Sequence, residues 1–169
     1  IPGELFQTIK RKHFITFEMK YPQSMITPDI DGERSHFYEW NGAAVYDCSQ
    51  TQLQSTMHQV SKIMDKVHIG FDKENLYFRI DFNQIPSMVA EYLINILTPQ
   101  KTTLVFSPLK QIGEAFWWED EKNNKKVLTK DVKLKEILEI GFPFKEIGLK
   151  PGEKIGFQIQ IKQNGHILE

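Results

Sequence analysis

Cysteine is nearly absent from the 169-residue sequence, in which Cys48 is the only one. A single cysteine excludes an internal disulfide and any metal site built from several cysteines. The sequence around Cys48 shows no pattern that would activate a thiol, so we interpret this residue as a small packed side chain.

Net charge is also small, because 21 lysines and arginines are balanced by 22 aspartates and glutamates. A chain without excess positive charge has no long-range field to attract nucleic acid or an anionic membrane. In the basic stretch 122–135, Lys133 and Lys135 alternate with Val132 and Leu134, which is typical of the solvated face of a strand. We therefore expect neither nucleic acid nor membrane as a partner.

The sequence has no apolar run long enough to span a membrane, and residues 1–14 lack the apolar centre of a signal peptide. These absences predict a soluble chain and favour the cytoplasm. Because the sequence opens on Ile1 instead of Met, we also expect it to be an excised domain or a processed product of a longer protein.

Motifs that carry chemistry are missing as well. Neither of the glycine-rich phosphate-binding patterns, GxGxxG or GxxxxGK, occurs, and no pair of acidic residues is singled out for catalysis. The histidines have no zinc-ligand spacing; they are His13, His36, His58, His68 and His166. We therefore expect no catalytic residues on this chain.

Period-two patterning is the strongest positive feature. Leu138, Ile140 and Phe142 alternate with other residues, and a second alternating run covers 155–161. The two runs are joined by a turn at Lys150-Pro151-Gly152-Glu153, where Pro fixes one φ and Gly permits a positive one. Phe144, Ile147 and Leu149 are predicted to close the edge of the core, whereas Gln158, Gln160 and Lys162 point outward with no evident site.

Alternation, apolar content and turn residues predict further strands. The clearest hairpin joins 67–71 to 76–82 across Asp72-Lys73-Glu74-Asn75, and 13–21, 89–97, 102–106, 115–119 and 126–129 also suit strands. About nine or ten strands with little amphipathic helix predict an all-β fold of two packed antiparallel sheets, a β-sandwich. Residues 1–12 are expected to be a linker or N-terminal extension, and residues 13–169 the sandwich domain. The segment 49–64 fits either a short helix or a long loop.

A set of motifs in one order resembles a known family. They are Pro28-Asp29-Ile30-Asp31-Gly32, the stretch 37–43 (FYEWNGA), Gly70-Phe71-Asp72, the stretch 75–82 (NLYFRIDF) and the closing stretch 138–161. From about Ile26 onward the chain resembles the C-terminal β-sandwich domain of some family 57 glycoside hydrolases. That domain is similar in turn to family 9 carbohydrate-binding modules and to glucodextranase-type sandwich domains.

The resemblance implies a jelly-roll-like sandwich of the carbohydrate-binding-module type, attached to a glycoside hydrolase that acts on α-glucan. The catalytic carboxylates would lie in a separate domain, and this domain would contact an oligo- or polysaccharide or brace the catalytic domain of the same parent chain. A purely structural interaction domain without a sugar site is the alternative, because fold carries over between relatives better than function.

Trp117, Trp118 and Glu119 are the first candidate sugar contacts, since an indole packs on the C–H face of a pyranose and a carboxylate accepts hydroxyl hydrogen bonds. Neighbouring residues of a strand point to opposite faces, so at most one of the two indoles is a platform. Plain packing or an interdomain contact is the other interpretation. Trp40 is interpreted as a core or rim aromatic residue.

Tyr77, Arg79 and Asp81 are the second candidate, on the face of their strand opposite Phe78 and Ile80. An aromatic ring, a guanidinium and a carboxylate in line can hydrogen-bond a polyol. A solvated strand face with cross-strand ion pairs explains the same three residues.

Asp29, Asp31 and Glu33 surround Gly32 and place three oxygen donors on a tight loop, which suits calcium. A calcium ion needs six or more oxygens, so backbone carbonyls or Asp47 would have to complete the shell. Ordinary turn chemistry is the competing interpretation.

Overall fold

The computed structural model describes residues 20–34, 38–48, 63–87, 89–99, 101–108 and 131–168, together with the backbone of residues 116–119 and 125–129. Eleven strands and one short helix form the regular structure of these residues. The prediction of an all-β chain is confirmed. The predicted boundary between residues 12 and 13 lies outside the described residues, as does most of the undecided segment 49–64.

The strands form two antiparallel sheets. In chain order they are β1 (Ala44–Asp47), β2 (Met64–Phe71), β3 (Asn75–Phe82), β4 (Glu91–Thr98), β5 (Thr102–Phe106), β6 (Phe116–Glu119), β7 (Lys125–Thr129), β8 (Val132–Leu134), β9 (Ile137–Pro143), β10 (Gly156–Gln163) and β11 (His166–Ile167), with helix α1 at Phe144–Ile147. The five-stranded sheet has the order β1-β2-β3-β9-β8, and the six-stranded sheet has the order β11-β10-β4-β5-β6-β7.

One apolar core lies between the two sheets. Phe78, Ile80 and Ile140 enter it from the five-stranded sheet, and Tyr92 and Leu104 enter it from the six-stranded sheet; all five are fully buried. Residues from both sheets share this cluster because alternate positions of each strand face inward. The fold is therefore the two-sheet antiparallel sandwich that the alternating pattern predicts.

The hairpin of β2 and β3 is closed by Asp72. Its Oδ1 accepts hydrogen bonds from the backbone N–H groups of Glu74 and Asn75, each at 2.7 Å. Such an Asx-type turn satisfies backbone donors that the ladder leaves free at its end. The predicted hairpin is confirmed, with Phe71 opposite Leu76 at its last register position.

The segment from β9 to β10 connects the two sheets. Helix α1 ends at Gly148 with φ of 68°, and Phe144, Ile147 and Leu149 pack into the core as expected. The turn follows, in which the Glu153 N–H donates to the Lys150 carbonyl at 3.1 Å and Gly152 has φ of 82°. The two alternating runs around this turn thus belong to opposite sheets, where they pair with β3 and β4.

Candidate functional site

The outer face of the five-stranded sheet is covered by residues 20–34 and 38–43, called here the covering segment. Ile26, Trp40 and Tyr77 form a small second apolar cluster between this segment and the sheet. The Ile26 N–H donates to the Phe71 carbonyl at 3.0 Å, and a Cβ added at Gly70 would collide with the Ile26 side chain. Because Gly70 has no side chain, the sheet leaves room for the Ile26 side chain of the covering segment.

This cover changes the interpretation of Tyr77, Arg79 and Asp81. They lie on the face opposite Phe78 and Ile80, as predicted, but Tyr77 and Asp81 are each only 7% exposed. The expected solvated face is corrected to a covered one, because Trp40 packs edge-on against Tyr77 with ring centroids 6.5 Å apart. Tyr77 and Asp81 are therefore shielded by the covering segment, and a sugar contact at Tyr77, Arg79 and Asp81 stays a prediction.

Asp81 is held by two basic side chains instead. Its oxygens accept from Arg79 Nε at 2.6 Å and Nη2 at 3.0 Å, and His68 Nε2 lies 3.7 Å from Oδ2, within ion-pair distance but too far for a hydrogen bond. Burial by itself raises the pKa of Asp81, but the contacts with His68 and Arg79 outweigh burial and hold it below its ordinary value of 3.8. The arrangement is a structural ion pair.

Glu139 is the residue that sequence reasoning missed. It is 1% exposed, and its carboxylate accepts three N–H groups of the covering segment: Asp31 N at 3.1 Å, Gly32 N at 2.9 Å and Trp40 Nε1 at 2.8 Å. Burial raises the pKa of Glu139, and these hydrogen bonds oppose that rise. One sequence feature could have identified Glu139: it is the single acidic residue in the otherwise apolar run 137–142. In the structure this run is buried throughout.

The side chains of two of the three calcium candidates, Asp31 and Glu33, are engaged in a turn hydrogen bond and an ion pair. Asp31 Oδ1 accepts the Glu33 N–H at 2.8 Å, and Glu33 Oε1 pairs with Lys135 Nζ at 2.7 Å. Within the described ranges no group of three or more His, Cys, Asp or Glu residues could hold a metal ion. These contacts of Asp31 and Glu33 are the turn chemistry of the competing interpretation, and the site at Asp29, Asp31 and Glu33 stays a prediction.

The outer face of the six-stranded sheet carries a row of polar residues that crosses the strands. Asn95 on β4 and Thr103 on β5 are register partners, Gln158 on β10 lies opposite Asn95, and position 119 on β6 lies opposite Thr103. These positions, called here the polar row, cross four strands. Asn95 and Thr103 are half-buried, and Gln158 is exposed.

An apolar row runs beside the polar row, two residues away along each strand. It consists of Leu93 on β4, Val105 on β5 and position 117 on β6, with Gln160 at its β10 end. Leu93, Val105 and Gln160 are half-buried. A polar row next to an apolar row gives this face both hydrogen-bonding groups and packing surface.

Hydrogen bonds join three of the polar side chains of this face, those of Thr103, Asn95 and Gln160. Thr103 Oγ1 donates to Asn95 Oδ1 at 3.0 Å, and Asn95 Nδ2 donates to Gln160 Oε1 at 3.2 Å. An amide carries two N–H donors and two acceptor lone pairs, so each member keeps capacity for a ligand. None of these groups titrates near neutral pH, so the surface is suited to recognition of neutral polar molecules.

The backbone register also separates the two adjacent tryptophans. Position 118 lies opposite Leu104, which is fully buried, and position 117 lies opposite Val105. Residues directly opposite in an antiparallel ladder lie on the same face of the sheet. Trp117 and Glu119 are therefore placed on the outer face with the two rows, and Trp118 on the face of the core.

No helix in the described part of the chain is long and apolar enough to cross a membrane. Comparison of the chain with protein-family models, with curated proteins and with solved structures yields no match.

Proposed function

We propose that the chain is a non-catalytic, carbohydrate-binding accessory domain of a glycoside hydrolase, and that the outer face of the six-stranded sheet binds the sugar. The observation that carries this proposal is the hydrogen-bonded series Thr103, Asn95 and Gln160 beside an apolar row. Sugars present hydroxyl groups at their edges and C–H groups on their faces. The hydroxyl groups can hydrogen-bond the polar row, and the C–H groups can pack on the apolar row.

Amide and hydroxyl side chains suit a sugar because they carry both donors and acceptors. In this series the amides of Asn95 and Gln160 have a further N–H to donate, and the Thr103 hydroxyl has lone pairs that can accept. The series that joins Thr103, Asn95 and Gln160 also limits how these side chains can rotate. Side chains ordered before the ligand arrives lose less conformational entropy on binding. The described part of this face is thus partly preorganised for a polyol.

The resemblance to the C-terminal domain of family 57 glycoside hydrolases supports the parent enzyme class. Under this proposal the parent chain supplies the catalytic carboxylates and an α-glucan substrate, and the catalytic domain is the second partner. The covered face of the five-stranded sheet, with its buried Glu139 and Asp81, serves stability and not recognition.

The test is a titration of the 169-residue chain with maltohexaose, followed by tryptophan fluorescence. We expect a shift in emission for the wild type and for Trp118→Phe, and the loss of that shift for Trp117→Ala, because position 117 shares the face of Val105. Trp40 is buried and bonded to Glu139, so its emission is a constant background.

An unchanged emission spectrum at millimolar sugar, in the wild type and both variants, would favour the alternative of a purely structural interaction domain. A shift that survives Trp117→Ala but disappears in Trp118→Phe would place the sugar elsewhere and contradict the proposed face.

A further inference from the structure

We propose that the outer face of the six-stranded sheet takes a neutral, linear oligosaccharide whose chain runs across the strands, with several sugar units bound at once. This inference rests on the proposed function and adds the class of ligand and its direction. It follows from the register of β10, β4, β5 and β6 and from the uncharged side chains in the two rows.

The direction follows from how the rows are built. Each row takes one residue from each of the four strands, so it runs perpendicular to the strand axes. Neighbouring strands are about 4.8 Å apart, so the row from β10 to β6 is roughly 14 Å long. A pyranose unit in a linear glycan is about as long as one gap between strands, so the row offers space for about three or four units.

The polar row keeps its chemistry over β10, β4 and β5, whereas the apolar row is apolar in β4 and β5 and ends in Gln160 on β10. The polar row presents Gln158, Asn95 and Thr103 in consecutive strands, and the apolar row presents Leu93 and Val105 in consecutive strands. The rows are separated by two residues along each strand, or about 7 Å. A glycan that lies along them can pack its ring faces on the apolar row while its hydroxyl edges reach the polar row.

Neutrality follows from the charges. The described side chains of the two rows are amide, hydroxyl or aliphatic, and the charged residues Glu91 and Lys162 lie opposite each other in the next register pair. The far end of the polar row is position 119, a glutamate. Position 119 lies opposite position 125 on β7, a lysine, so charges of both signs flank the rows. The face therefore has no net positive patch to attract an anionic glycan.

The experiment is isothermal titration calorimetry of the 169-residue chain with linear α-1,4-glucose oligomers from one to six units, linear β-1,4-glucose oligomers of the same lengths, and α-1,4-galacturonate oligomers. We expect affinity for at least one neutral series to rise steeply from one unit to about four and then to level off. The galacturonate oligomers are expected to bind at least tenfold more weakly than neutral oligomers of equal length.

Thr103→Val tests the row itself, because it keeps the shape of the side chain and removes the hydroxyl that donates to Asn95. We expect this variant to weaken tetrasaccharide binding by about fivefold, the effect of roughly one hydrogen bond. Thr27→Val, an exposed position of the covering segment, is the matched control and should leave the affinity unchanged.

The possible outcomes separate the two proposals. Equal affinity for glucose and for its hexamer, or an unaltered affinity in Thr103→Val, would overturn the extended site while sugar binding itself stands. Galacturonate oligomers that match the neutral ones would overturn the assignment to neutral glycans. If none of the three series binds at millimolar concentration, the proposed function fails as well.

Discussion

Glu139 shows how a single buried charge can hold a segment of chain in place. Its two oxygens receive three N–H donors that come from residues about one hundred positions earlier, and the residue is 1% exposed. Hydrogen bonds to an ionised carboxylate are roughly twice as strong as neutral ones, which offsets part of the cost of burying it. Asp31 and Gly32 therefore hold the covering segment to Glu139 through their backbone N–H groups.

We predict that Glu139→Gln lowers the free energy of unfolding by about 1–3 kcal/mol. The amide replaces one acceptor oxygen with an N–H donor, so at least one of the three donors is left without a partner. Urea denaturation followed by circular dichroism measures the change. The control variant Glu74→Gln, at an exposed glutamate in the turn between β2 and β3, should change it by less than about 0.5 kcal/mol. Equal stability of Glu139→Gln and the wild type would contradict this account.

The role of Glu139 could not be predicted from the sequence alone, because its three donors come from a loop distant in sequence. Period-two patterning assigns a face to each residue but does not say what packs on that face. The same limit explains why Tyr77 and Asp81 suggested a solvated surface. Trp40, by contrast, was correctly expected to be a core or rim aromatic residue, since it is 5% exposed.

At the scale of elements, the covering segment depends on a strand position that lacks a side chain. Gly70 on β2 leaves the space that Ile26 fills, and Gly141 on β9 lies against the ring of Tyr77. Glycine weakens a strand, and one of the reasons to keep it at a paired strand position, such as Gly70 opposite Tyr77, is a close approach from another segment.

We predict that Gly70→Ala destabilises the fold by about 1–3 kcal/mol, because its new Cβ displaces the Ile26 side chain. Ile26→Val removes the nearest methyl group and by itself costs about 1 kcal/mol. The double variant should then be more stable than the sum of the single changes predicts, by at least about 0.5 kcal/mol in a thermodynamic cycle from urea denaturation.

Gly152→Ala is the control for that cycle, because a Cβ at this exposed turn meets nothing within 4 Å and its cost comes only from the positive φ of 82°. Combined with Ile26→Val, its effect should be additive. Additivity of Gly70→Ala with Ile26→Val would show that the two residues are not in contact.

Most strands could be predicted, since alternation and turn residues located the β2–β3 hairpin and the β6–β7 pair, and apolar runs located β4 and β5. The assignment of strands to sheets could not. The runs in β9 and β10 are adjacent in sequence, but they lie in opposite sheets because helix α1 and the turn after it carry the chain across the core edge. Local patterning contains no information about such a crossing.

For the whole molecule, the sandwich presents two outer faces with different roles. One is sealed by the covering segment, and the other carries the polar and apolar rows. The rows could not be predicted as a site, because they combine single residues from four strands that include distant parts of the chain, Asn95 and Gln158 among them. Only Trp117 and Glu119 were singled out from the sequence, and every other member is, taken alone, an ordinary outward position of a strand.

The most direct test of this account is a two-dimensional ¹H–¹⁵N NMR titration of the chain with the neutral oligosaccharide series. The side-chain NH₂ groups of Asn95, Gln158 and Gln160 give their own signals, and we predict that these shift together with the backbone amides of β4, β5 and β10. The indole signal of Trp40 on the covered face should stay in place. Shifts confined to Trp40 and its neighbours, or no shifts with any neutral sugar, would contradict the assignment of binding to the six-stranded sheet.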